Sequence, residues 1–392
     1  MVVKIMLKQH IGAPDTPIVK KGDEVKKGQL IAEPAGLGAN IHSSVYGTVS
    51  EVTGDAITID AASEQPDEYV KIKPTDDILE AIKEAGVIGA GGAGFPTHVK
   101  LKADLKDGVV IANSAECEPT LHHNITFVEK DPNTVIRGLK YAMEVTGSKK
   151  GIVAIKPRHA QAVRALEAAV KDEKNIEIKF LPDLYPAGDE RVIVREILGI
   201  DLTPGELPLK AGAVICNVET LKNIARAVEE RRPVITKDVT AGGRLKDAKT
   251  GKVFLDVPIG IPAKVLIDKC GGYVEPHGEI IAGGAFTGKH GSEDMPITKT
   301  LGGVGVAMPF PNEKRKVGIL GCECGAQQPR LKEIAKGMGA EVVAAVNCKR
   351  MEDIGKGRLR CNKPGVCPGQ AESVLQLKKM GAQVLLVGSC QH

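Results

Sequence analysis

The sequence predicts a multidomain α/β protein, and three observations carry that prediction. At 392 residues the chain exceeds what one hydrophobic core ordinarily organises, so about two to four domains are expected. Residues 75–234 alternate helical and strand periodicities, the pattern of a mainly parallel sheet with helices on both faces. The flanking segments differ in kind: short β-rich runs before it, strands with glycine turns after it, and a terminal stretch in which cysteines crowd together.

Residues 1–70 form the first predicted domain. Between Pro17 and Val52, short apolar runs are broken by Gly-Asp and Gly-Gln turns, which indicates a small β-sandwich. The arrangement is similar to the barrel-sandwich hybrid of lipoyl and biotinyl carrier domains, without the carrier Lys at the hairpin tip. His42 lies near that position and is read as structural or surface, since lone histidines seldom act without partners.

Residues 71–235 form the second. Helices are expected over 78–85, 133–146, 159–172, 190–198 and 220–230, with strands over 108–112, 151–155 and 176–181. The run Gly86-Val-Ile-Gly-Ala-Gly-Gly-Ala-Gly-Phe-Pro-Thr-His-Val-Lys100 precedes the first of these strands, and Asn113-Ser-Ala-Glu-Cys-Glu-Pro119 follows it. Glycine lacks a Cβ, so such a loop brings backbone N–H groups against a phosphate or a flat ring; a plain turn is the alternative. Asn113, Glu116 and Glu118 fall at the C-terminal end of a buried strand, where open α/β sheets collect ligands. His122 and His123 are adjacent, cannot both face one metal, and are read as pocket rim or surface.

Residues 236–308 read as strands and glycine turns, and 309–316 as a charged, proline-bearing linker. Residues 316–392 form a compact α/β unit: strands over 316–320, 341–346 and 383–387, helices over 328–338 and 371–380. Cys322, Cys324, Cys348, Cys361, Cys367 and Cys390 lie here, at strand C-termini and helix N-termini, where the thiolate form is favoured. An iron–sulfur cluster, a redox thiol pair and a structural Zn²⁺ all fit such a set.

Composition narrows the function. A net charge of +4 with no basic tract, no Trp, 6 Phe and 5 Tyr argue against nucleic-acid binding. The first residues lack a signal-peptide core, and no apolar run reaches about 18 residues, so a cytoplasmic protein without an integral membrane segment is expected. Nine cysteines then read as thiols or ligands rather than structural disulfides.

The motifs of the second domain, with Tyr185-Pro-Ala-Gly-Asp-Glu-Arg191 and Cys216-Asn-Val-Glu-Thr-Leu221, resemble the NADH and FMN site of the complex I 51 kDa flavoprotein. They are closer still to the RnfC component of the Rnf ferredoxin:NAD oxidoreductase, over roughly residues 1–305. That resemblance implies a Rossmann-like FMN/NADH domain followed by a soluble-ligand-binding β-grasp (SLBB) module over 236–308. It implies that Gly89, Gly91, Gly92, Gly94 and Lys100 line FMN and that Phe95 helps hold the NADH adenine. Asn113, Glu116 and Glu118 would border flavin and nicotinamide, with Tyr185, Gly188, Glu190 and Asn217 completing the pocket. Two departures stand out: Cys216 replaces an Asn of the family, and Ala90 an Arg of the complex I relatives.

Residues 316–392 lack the ferredoxin motifs with which the RnfC component would continue. They resemble the N-terminal part of the HdrA component of heterodisulfide reductase, which implies Cys322, Cys324, Cys367 and Cys390 as ligands of one [4Fe-4S] cluster, with Cys361 as a substitute. A flavoprotein body joined to such a tail resembles the electron-transfer proteins associated with D-proline reductase. The expectation is hydride transfer from NADH to FMN, aided by Glu116 and Glu118, then electron passage through Cys322 and Cys324 to a partner reductase such as proline reductase. The alternatives are another client, such as a corrinoid reductase or a bifurcating complex, and a non-enzymatic metal-binding scaffold. Self-association into a homo-oligomer is left open.

Overall fold

Four groups of elements build the computed structural model, which describes residues 1–388. Cys390, one of the four expected ligands, lies outside the described residues. At the N-terminus, an antiparallel sheet runs in the order Val2–Met6, Ala56–Ala61, Gly47–Val52, Glu24–Val25, beside a smaller sheet of Thr16–Pro17, Leu30–Glu33 and Ile41–His42. Alternation in the first strand buries Val3 and Ile5 and exposes Val2 and Lys4, as a half-buried strand requires.

The second group is a four-stranded parallel sheet in the order Ile176–Phe180, Lys150–Ile155, Val109–Asn113, Ala213–Asn217. Both faces are covered: Val110, Ala112 and Val153 face one apolar cluster with Leu139 and Leu221, while Val109, Ile111 and Ile152 face another with Ile193 and Val194. Helix Pro132–Thr146 starts on Asp131, whose side chain accepts from Thr134 N, and stops at Gly147 in the left-handed region, matching the expected capping chemistry. Its Gly138 is required by close packing, since a Cβ there would lie 2.1 Å from the carbonyl oxygen of Leu221 in helix Val218–Glu229.

The third group is a five-stranded sheet ordered Lys252–Pro258, Thr236–Gly243, Gly303–Val306, Ile280–Ala282, Lys289–Gly291, with helix Ala263–Lys269. It shares one apolar cluster with the N-terminal sheets, in which Val3, Ile5 and Ile57 meet Val239, Leu266 and Ile297. Lys299 ties three groups together: it is buried, and its Nζ donates to Asn40 O at 2.7 Å and Gly86 O at 2.8 Å. Burial pulls its pKa down to about 7.

The fourth group is a three-stranded parallel sheet, Val342–Asn347, Val317–Gly321, Val384–Val387, flanked by helices Gln328–Gly337 and Ala371–Lys379, with a hairpin of Met351–Asp353 and Leu359–Cys361. The structure corrects the reading of His123. It opens an unforeseen helix, His123–Lys130, and is buried rather than at a rim or surface, with its N and Nδ1 on Thr240 Oγ1 at 3.1 and 3.2 Å. Burial drives its pKa down to about 3, so the ring is neutral. His122 is half-buried beside it. His42 is buried and structural, and burial with the nearby Lys299 lowers its pKa to about 3.

Candidate functional site

Two clusters of chemistry-bearing residues lie at the C-terminal edges of the two parallel sheets. At the first, Asn113 and Asn217 end neighbouring strands in register. Asn113 Nδ2 donates to Gly188 O at 3.1 Å while its Oδ1 accepts from Ala115 N at 3.0 Å. Asn217 caps the following helix by accepting from Glu219 N at 2.8 Å.

The glycine loop folds over this edge. Ala90 N donates to Thr220 Oγ1 at 2.9 Å, and Gly89 N donates to Phe95 O at 3.0 Å. A Cβ on Gly91 would lie 2.5 Å from Asn217 Nδ2, whereas one on Gly92 would meet nothing within 4 Å. The loop therefore has one side pressed to the sheet edge and the other open. Gly94 takes a positive φ of 74°, a conformation that favours glycine.

Lys100 reaches from helix Thr97–Lys100 to Glu190 Oε1 at 2.8 Å and Ile215 O at 2.6 Å. Burial opposes its charge, but Glu190 and Cys216 outweigh that and hold its pKa above the ordinary value. Glu116 is buried and accepts from Asn124 N at 3.2 Å. Burial raises its pKa to about 7, against the lowering by those hydrogen bonds. Glu118 turns the other way: it accepts from Phe286 N at 3.0 Å, Thr287 N at 2.8 Å and the Thr287 hydroxyl, anchoring the loop of the third group. Neither acid pairs with Arg191 or Lys100. Tyr185 stands edge-on to Phe286, with ring centroids 4.7 Å apart at 78°. The structure thus joins Gly91 to Asn217, Asn113 to Gly188 and Lys100 to Glu190, while Tyr185 and Glu118 meet at the Phe286–Thr287 segment.

The second cluster is a cavity of about 310 Å³ lined by Cys322, Cys324, Cys348, Cys361 and Cys367, with Leu184, Arg350, Lys363 and Gln370 among its other walls. Cys322 and Cys348 follow adjacent strands, and Cys348 N donates to Gly321 O at 2.8 Å. The neighbouring Cys322 thiol, with burial, pushes the Cys324 thiol up to about 12 against a lowering by Cys361. The Cys324 contact and burial likewise push Cys361 up. Gln370 Nε2 donates to Cys348 Sγ at 3.4 Å. Among the described residues no three His, Cys, Asp or Glu side chains are gathered so as to hold a single metal ion. Five cysteines line one cavity, and thiols are the donor type that an iron–sulfur cluster uses.

The resemblance that singled out Cys322, Cys324, Cys367 and Cys390 leaves out Cys348, which stands in the cavity wall just past strand Val342–Asn347. Sequence reasoning also missed the partners supplied from afar: Leu184, Phe286, Thr287 and Arg191.

Residues 82–226 match the family described as Nuo51 FMN-binding domain, and residues 2–75 the RnfC barrel sandwich hybrid domain. Fold and site together define a flavin-dependent oxidoreductase component with an FMN-binding domain. The chain is 36% identical over 342 residues to the RnfC component of the proton-translocating ferredoxin:NAD(+) oxidoreductase complex of Clostridium ljungdahlii, covering 82% of this chain and 74% of that protein. It is 35% identical over 324 residues to the Na(+)-translocating counterpart of Acetobacterium woodii, covering 77% and 72%. The chain belongs to this RnfC family. It is also 40% identical over 230 residues to the cobalamin reductase PduS of Salmonella typhimurium, covering 58% of this chain and 49% of that protein. An NAD+-reducing [NiFe]-hydrogenase in the air-oxidized state shares the fold at TM-score 0.50 and 22% identity, over 59% of this chain and 46% of that one. No helix among the described residues is long and apolar enough to cross a membrane.

Proposed function

We propose that this chain takes electrons from NADH at its flavin site and passes them through its C-terminal cysteines to a partner reductase, with proline reductase as the client. Its parts are a barrel-sandwich hybrid (1–70), an FMN/NADH domain (71–235), an SLBB β-grasp module (236–308) and a cysteine-rich redox domain (316–392), working in the cytoplasm. Gly89, Gly91, Gly92, Gly94, Lys100, Asn113 and Asn217 hold FMN, with Phe95, Glu116, Glu118, Tyr185, Gly188 and Glu190 around it and NADH. Cys322, Cys324, Cys367 and Cys390 hold one [4Fe-4S] cluster, for which Cys361 is a substitute ligand. FMN, when bound, supplies the exchange between the paired electrons of a hydride and the single electrons a cluster accepts.

The chain's own groups prepare that exchange. The open side of the glycine loop leaves room for a flat ring to lie close to the sheet edge. Lys100 and Glu190 neutralise each other at the floor. Glu116, poised near neutrality, can hold or release a proton as charge changes beside it.

One observation carries the reading. Leu184 lines the cysteine cavity, and Gly188, four positions on, accepts the hydrogen bond of Asn113 at the flavin edge. Chain geometry caps their Cα separation at about 14 Å, which supports direct electron passage between the two proposed sites.

A second client is favoured by the 40% identity to a cobalamin reductase over 230 residues: a corrinoid as electron acceptor. Anaerobic reconstitution with FMN, iron and sulfide, followed by NADH oxidation with an artificial acceptor, then with proline reductase or cob(II)alamin, tests both. Turnover with proline reductase alone supports the first reading, and turnover with cob(II)alamin alone the second. A protein that binds no flavin and oxidises no NADH overturns both.

A further inference from the structure

The cysteine cavity and the flavin edge meet at one buried guanidinium. Arg191 lies in the first turn of helix Glu190–Leu198, directly after Glu190, the partner of Lys100. Its side chain is about 5% exposed. Nε donates to Asp189 Oδ1 and Nη2 to Asp189 Oδ2, both at 3.3 Å, fixing the guanidinium on its own domain. The same group crosses to the last domain: Nη2 donates to Glu323 Oε1 at 3.1 Å and Nη1 to the carbonyl oxygen of Cys361 at 2.6 Å.

Glu323 sits between Cys322 and Cys324 in sequence, and its other carboxylate oxygen accepts from the backbone N–H of Cys361. Arg360 adds a second cation at 2.7 Å on Oε1. The carbonyl and amide of Cys361 are thus both tied, directly or through Glu323, to Arg191. One turn later, Arg195 Nη1 donates to Pro364 O at 2.9 Å, so the helix clasps the 361–364 segment at two points. Only a planar fork with several donors can serve Asp189, Glu323 and a carbonyl at once.

We infer that Arg191 is a positioning residue for electron passage, which holds the Cys322–Cys324 loop and Cys361 in fixed register with the flavin-edge residues Gly188 and Glu190. The inference rests on the proposed electron route. It adds that the route depends on a bridge formed by residues that line neither site's ligand set. Without the bridge, the small C-terminal sheet still folds, but its sulfurs lose their fixed distance from the flavin edge.

Labelling and electron counting test it. In flavin-free protein, alkylation of Cys361 and Cys322 by a maleimide, read by mass spectrometry, should speed up about tenfold in Arg191→Gln, the scale of one lost charged hydrogen bond. In protein loaded with FMN, iron and sulfide, the rate of electron delivery from NADH-reduced flavin to the tail should fall about tenfold, the scale of one lost charged hydrogen bond. Glu323→Gln should lose a comparable amount, and the double variant no more than the worse single one, because the two act as a unit. Arg191→Lys keeps the charge and the fold, and should recover labelling and delivery only in part. Wild-type labelling and delivery in both Arg191 variants, or losses that multiply in the double variant, would overturn the inference. Failure of NADH to reduce the wild-type protein would instead sink the functional reading, and the labelling result would still decide whether the bridge exists.

Discussion

At the flavin edge, Asn113 and Asn217 end adjacent parallel strands and are each hydrogen-bonded to neighbouring backbone; at the cysteine cavity, Cys322 and Cys348 follow adjacent parallel strands and face a space. Both use the carboxyl ends of parallel strands, yet their support differs. The flavin sheet lies between two large apolar clusters, while the cysteine sheet has two small ones, whose buried members are Val317, Ile319 and Leu331 on one side and Leu320, Ala344 and Leu377 on the other. The smaller sheet leans on its neighbours instead: Arg191 and Arg195 from the flavin domain, and Arg330 paired with Glu279 of the third group. A rigid edge suits a ring that must stack in one orientation. Under the proposed function, a borrowed frame suits a redox centre that also presents electrons to a partner.

The largest expected effect separates the two regions by stability. Lys237 and Glu219 form a buried pair where the flavin domain meets the third group, and Lys222 with Asp238 another at 2.6 Å. Lys237→Met strands a buried carboxylate, so chemical denaturation should show a loss of about 3–5 kcal/mol. Maleimide labelling of the tail cysteines under native conditions should not change. Equal exposure of both regions would mean that they unfold as one.

The next effect is the component of the pH dependence that Glu116 adds, read as the difference between the unmodified chain and Glu116→Gln, because buried neutral His42 and His123 titrate with the opposite sign over the same window. Glu116 has its pKa raised by burial from about 4.5 to about 7. The folded state therefore holds this proton more tightly than the unfolded chain, and its contribution to stability is lost as pH rises through that window. At about 1.4 kcal/mol per pH unit the fall approaches about 3 kcal/mol. Glu116→Gln should remove that component, and a variant with the unmodified chain's pH profile would assign the dependence to other groups.

Smaller still is the effect of crowding the loop. Gly91→Val drives a side chain into Asn217, and FMN affinity measured by fluorescence quenching should weaken at least about tenfold, since overpacking costs about 1–3 kcal/mol. Cysteine labelling should stay as in the unmodified chain. Asn217→Ala removes a helix cap and should cost about 1 kcal/mol in denaturation.

What the sequence made legible follows the same divide. Asn113 could be placed because an apolar run of strand length precedes it, and the glycine loop because its composition has few other uses. Cys322 was singled out by the resemblance to HdrA, in keeping with its place at a strand end. The partners that fix these residues were not legible: Glu118 is held by Phe286 and Thr287, and Arg191 holds Glu323 and Cys361, all more than a hundred positions away. No local periodicity encodes such contacts. His123 was misplaced for the same reason, since the hydroxyl that accepts its backbone N–H at the helix start belongs to Thr240 of another sheet.

The central claim is that two redox sites stand in series within one chain, and anaerobic titration with NADH tests it most directly. Protein reconstituted with FMN, iron and sulfide should take up more electrons than its flavin alone can hold, and Cys322→Ser with Cys367→Ser should return the uptake to the flavin's own capacity. Uptake that stops at the flavin's capacity in the unaltered chain would contradict the account.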